Sequence, residues 1–129
     1  MLNPSRIFLA FLLGCSLTAL VSLSAQQKST PRTGWISDES CAALHTKPGR
    51  ADCVQKCWRG GASIGHPEWK PQRAVFVADK ITPDKDHTIW IVENPEAVKD
   101  FPAQHVQLAG KFDSAKKFVH VEKITPAAP

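Results

Sequence analysis

From residue 33 onward the apolar residues come in short runs, each closed by a proline, a glycine or an acidic turn, a pattern that builds strands rather than long helices. Gly34, Trp35 and Ile36 predict a first strand, Ala74–Asp79 a second and His87–Glu93 a third, with KITPDKD supplying a turn around Pro83 and Asp84. Asn94 as N-cap and Pro95 at the first helical position then predict a short helix, which Pro102 limits to about Asp100. His105–Phe112 alternates with Val106 and Leu108 inward, and Phe118–Ile124 does so with Val119 and Val121; DSAKK is the hairpin between them. Three strands, a short helix and two strands is the order of an OB-like, five-stranded Greek-key barrel, with SH3-like barrels and other small β rolls as alternatives.

The first 25 residues belong to a different kind of segment. Arg6 is the sole charge of a short n-region, and Ile7–Ala25 is almost unbroken apolar sequence ending in Ser22, Leu23, Ser24 and Ala25, which predicts a secretory signal peptide. A stretch of roughly 20 apolar residues is also long enough to span a bilayer, so an uncleaved anchor is the alternative. Leu12, Leu13, Gly14 and Cys15 approximate a lipobox, but cleavage there would leave Leu17–Leu23 on the mature protein. A membrane therefore enters only if this segment stays uncleaved or is lipidated. Residues 26–32 are polar and predict a flexible lead-in, 33–125 a single domain, and 126–129 a tail with nothing to bury. The chain has 16 Lys and Arg, Arg6 among them, against 12 Asp and Glu, and the mature excess is spread without a block. It predicts a solvated surface, and export argues against nucleic acid as a partner.

Removal of the leader takes Cys15 and leaves Cys41, Cys53 and Cys57, an odd number in an oxidising compartment. Cys41 and His45 stand at i and i+4, and so do Cys53 and Cys57; residues so spaced share a helical face, and two such pairs can close a four-ligand site. ADCVQKCWRGG predicts a two-turn helix between the first and second strands, with Asp52 near its start and Gly60 and Gly61 stopping it.

Three chemistries suit this segment. In the first, Cys41, His45, Cys53 and Cys57 hold Zn²⁺ or, with softer preference, Cu⁺, and Asp38 or Glu39 orients the imidazole. In the second, Cys41 bridges to Cys53 or Cys57, closing a loop worth roughly 3 kcal/mol in the chain-entropy model. A bridge between Cys53 and Cys57 fits less well, since Cβ atoms at that helical spacing lie about 5–6 Å apart against roughly 3.8 Å in a disulfide. In the third, Cys53 or Cys57 is a reactive thiol beside Lys56, Arg59 or the helix N-terminus. The chain lacks the C-x-x-C of thioredoxin-like proteins and the C-x-x-C-H of c-type haem attachment.

GWISDESC (Gly34–Cys41), His45, CVQKCWRGGA (Cys53–Ala62), a VFV strand and the closing strands around LAGKF and VHVEKI resemble a group of small exported bacterial proteins of unknown function, seen notably in acidobacteria. The resemblance covers about residues 33–124 and is most specific over the cysteine segment. It implies a secreted domain and carries no catalytic residue. SIGHPEWKPQR, between Ala62 and Ala74, departs from the group's pattern as an insertion.

Other enzyme constellations are missing. His87, His105 and His120 lie on or beside predicted strands, where an outward or hydrogen-bonded imidazole is expected. No Gly-rich phosphate loop precedes a helix, and the serines lack a nucleophile-elbow context. Trp35 and Trp90 are expected in the core and Trp58 over the cysteine helix. Trp69, in the Pro-flanked HPEWKP, is expected to be exposed and is the candidate ligand-binding residue. The sequence thus predicts an exported, non-enzymatic binding or structural module; a thiol-redox protein and a glycan- or peptide-binding barrel are the alternatives.

Overall fold

Alternation along five segments closes a sheet on itself. The computed structural model describes residues 29–79 and 88–128; the leader, most of the lead-in, the turn around Pro83 and Asp84, and His87 lie outside them. The strands are β1 (Arg32–Asp38), β2 (Ala74–Ala78), β3 (Ile89–Val92), β4 (His105–Asp113) and β5 (Phe118–Pro126). They form a closed barrel in the order β1-β2-β3-β5-β4, in which β1 pairs antiparallel with both β2 and β4, and β3 runs parallel to β5. The β4–β5 hairpin turns on Asp113, whose Oδ1 accepts the N–H groups of Ala115 and Lys116 at 3.0 Å each.

The core holds Ile36, Phe76, Trp90, Val106, Leu108, Val119 and Val121, with Val98 entering from the β3–β4 connection. Each fully buried aliphatic or aromatic side chain stabilises the fold by roughly 1.5–3 kcal/mol. β2, AVFVA, is buried at every position, as a strand covered on both faces must be. On β1 the buried face comprises Gly34, Ile36 and Asp38, which puts Trp35 on the opposite face. Trp35 is accordingly half-buried and packs against the His105 ring at 5.2 Å, outside the core in which it was expected. Trp90 does lie in the core, with its indole N–H lacking a hydrogen-bond partner among the described residues.

The helix expected after Asn94 is a single 3-10 turn, Pro95–Ala97. Asn94 is drawn away from capping it: its Nδ2 donates to Val121 O at 2.9 Å and its Oδ1 accepts Val121 N–H at 2.8 Å. The parallel ladder ends at Val92 and Val119, and the Asn94 amide takes the place of the next peptide against β5.

The described residues contain one α-helix, α1 (Ala51–Arg59), between β1 and β2. Asp52 lies in its first turn and Gly60, at φ 71°, ends it with its N–H on Lys56 O at 3.0 Å. Val54 and Trp58 share a face of α1: Val54 is fully buried and the Trp58 indole donates to Ser37 O at 3.2 Å, docking the helix on the end of β1. No helix of the described residues is long and apolar enough to cross a membrane.

Candidate metal centre

Strand parity forces a carboxylate inward at the end of β1. Asp38 follows Ile36 on the buried face and its side chain is 0% exposed, so its charge needs polar partners. They come from the segment that follows. Oδ1 accepts the Cys41 N–H at 2.9 Å, which turns the chain into the 3-10 turn Ala42–His45, and Ser37 Oγ secures that turn on Ala42 O at 2.8 Å. Oδ2 lies 2.6 Å from His45 Nδ1. An ionised carboxylate only accepts, so this contact fixes the ring proton on Nδ1 and leaves Nε2 with a free lone pair. Ala42 holds φ at 37°, a positive value that non-glycine residues adopt at a cost of about 1–3 kcal/mol and that is concentrated at functional sites.

α1 carries the other two sulfurs. Burial pushes the Cys57 thiol up to about 11, and the Asp38 carboxylate, Cys41 and Cys53 add to the shift. The Cys41 thiol is raised by burial, then by Asp38 and Cys53. Asp38 and Cys41 thus lie near enough to the α1 thiols for their charges to act on one another. Anionic groups that raise one another's proton affinity are the groups a cation relieves.

The meeting differs from the four-ligand cage that the spacing suggests. Among the described residues, the group whose donor atoms all lie within 4.8 Å of one another is Asp38, Cys41 and His45; Cys53 and Cys57 are not part of it. A tetrahedral Zn²⁺ site sets donor separations at roughly 3.3–3.8 Å, closer than the 4.8 Å that bounds this group. Cys41 and His45 meet through a 3-10 turn hung on Asp38 rather than through a shared α-helical face. Asp38 and Glu39 both lay close enough in sequence to orient His45; only Asp38 does, while Glu39 forms a two-pronged pair with Arg73 at the surface. All three cysteines are free thiols, so the bridge expected from Cys41 to a helical cysteine is not formed in this structure.

Among the described residues, the other histidines have ordinary partners. His105 Nε2 lies 2.7 Å from Asp79 Oδ2, and His120 faces Glu93 at 3.7 Å on the surface. His66 stacks on Trp69, which is 53% exposed as its Pro-flanked setting predicts. No family model, curated protein or solved structure matches this chain.

Proposed function

We propose that the chain is an exported, secreted or periplasmic, non-enzymatic module: an OB-like barrel whose segment between β1 and β2 binds a thiophilic metal ion. Supporting the OB-like label are the sharing of β1 between β2 and β4 and the parallel β3–β5 pair. The leader and the resemblance to exported bacterial proteins support the compartment.

The observation that carries the metal reading is the buried Asp38 carboxylate with the His45 ring and the Cys41 N–H on it, the donor atoms of the three residues lying within 4.8 Å of one another. In this arrangement Cys41, Cys53 and Cys57 thiolates and His45 Nε2 hold the ion, and Asp38 positions the imidazole through Nδ1, the carboxylate–histidine pairing that metal sites commonly use. The mixed N/S donor set suits Zn²⁺, with Cu⁺ as the softer competitor. The ion fastens the end of β1 to α1, a connection otherwise made by Val54 and Trp58. The raised Cys57 thiol opposes the thiol-redox alternative at that position, because a reactive cysteine requires a lowered pKa.

Elemental analysis of protein purified from the export compartment, followed by Co²⁺ substitution, tests this. One equivalent of ion with thiolate-to-cobalt absorption is expected, weakened in His45→Ala. A metal-free protein that gives no such absorption under reducing conditions rules the reading out.

A further inference from the structure

The 61–72 loop is a built element. Gly61 N–H donates to Trp69 O at 2.9 Å, His66 N–H to Gly61 O at 2.8 Å, and Gln72 N–H to Cys57 O at 2.8 Å, so the loop folds back onto the last turn of α1. Gly60 and Gly61 are what permit this approach: a Cβ on Gly60 would strike the Trp69 carbonyl and Pro71, and one on Gly61 the His66 backbone. The result holds two large apolar side chains in solvent, Ile64 at 60% and Trp69 at 53% exposure. The Trp69 indole is not free to fold away. The His66 ring stacks on it at 3.9 Å with an 8° interplanar angle, and Glu68 Oε1 holds His66 Nδ1 at 3.0 Å.

Between this loop and α1 lies a cleft of about 520 Å³ with a mostly apolar lining, to which Trp69, Ile64 and the Cys57 side of α1 contribute. That is the size of a small-molecule site. Its charged groups favour an anion. Lys56 and Lys70 both line it, and Lys56 has no ion-pair partner among the described residues; the one acid, Glu68, is engaged with His66.

We propose that this cleft binds a small organic anion with an apolar or aromatic body, the body against Trp69 and Ile64 and the acidic group toward Lys56 and Lys70. A neutral glycan would also stack on an indole and meet Ser40 and Gln72, but it leaves the charges of Lys56 and Lys70 unanswered. The inference goes beyond the metal reading and does not depend on it.

Amide-resolved NMR of the mature chain tests it, with three probes titrated in turn: naphthylacetate, its neutral counterpart naphthylethanol, and chitotriose. Naphthylacetate should shift the amides of Lys56, Gly61, Ile64, Trp69 and Gln72 saturably, with naphthylethanol several-fold weaker and chitotriose without effect. Trp69→Ala should abolish the shifts. Lys56→Gln should weaken the acetate and leave the alcohol unchanged, a comparison that holds even if the tryptophan variant fails to fold. Absence of saturable shifts at these amides, equal affinity for acid and alcohol, or a preference for chitotriose would each overturn the proposal.

Discussion

Asp38 Oδ2 lies 2.6 Å from His45 Nδ1, and the carboxylate is wholly buried. The pair joins the last residue of a barrel strand to the end of the turn that follows, and the same carboxylate holds the Cys41 N–H. Fold and candidate site therefore share one group. Asp38→Asn keeps the shape, removes the charge and leaves one acceptor oxygen for the two partners, Cys41 N–H and His45 Nδ1, that the carboxylate serves with two. Loss of such an orienting carboxylate typically weakens metal affinity about 10–100-fold. A Zn²⁺ competition titration against a chromophoric chelator should show this drop while the barrel remains folded; unchanged affinity would remove Asp38 from the site.

The metal-free protein should respond to pH in a definite direction. The folded Cys57 thiol is pushed from the ordinary 9.0 to about 11, so above pH 9 the unfolded chain loses a proton that the folded one keeps. Stability from this group is complete below about pH 9 and is lost as pH rises toward 11. Metal binding runs the other way: it displaces thiol protons, so Zn²⁺ affinity should climb steadily with pH across the neutral range. Urea midpoints from pH 7 to 10.5, with and without Zn²⁺, should diverge.

Much of the barrel was legible because a strand facing a core alternates, and Val106, Leu108, Val119 and Val121 keep that alternation in register. The same rule, applied one residue at a time to GWISD, places Ile36 and Asp38 inside and Trp35 outside. Size alone pointed the other way for Trp35, toward the core. The sulfur cluster was legible as a list of ligands but not as a geometry. Spacing of i and i+4 implies a helix, whereas Cys41 and His45 are joined by a turn whose shape comes from hydrogen bonds to Asp38 and Ser37. Asn94 illustrates the limit of local signals: the N-cap sequence is sound, but its amide gains more from the Val121 peptide, 27 residues away, than from a one-turn helix.

That long-range contact predicts a stability effect out of proportion to a half-buried polar residue. Asn94→Ala strands both the N–H and the C=O of Val121 in the part-buried β3–β5 seam. Each unsatisfied buried group costs about 1–3 kcal/mol, so a loss of at least ~2 kcal/mol is expected from urea unfolding. Asn94→Asp, which keeps the acceptor and loses the donor, should fall between the two. Loss below ~0.5 kcal/mol for the alanine variant would mean that water serves Val121 as well as the amide does.

Phe76 and Trp90 are cross-strand neighbours that should differ sharply under truncation. Phe76→Ala removes a fully buried ring from the centre of the barrel and should cost about 3–5 kcal/mol, enough to unfold a domain of this size near its melting temperature. Trp90 is nearly as buried, but its indole N–H has no partner among the described residues, so the folded state carries a desolvation cost that Phe does not. Trp90→Phe leaves some empty volume beside Phe112, whose ring meets Trp90 edge-on at 4.9 Å, and removes that N–H. The two effects oppose each other, and a net change within about 1.5 kcal/mol is expected, read as a small shift in denaturant midpoint with the slope unchanged. A loss as large as that of Phe76→Ala would show that the indole N–H is satisfied in solution.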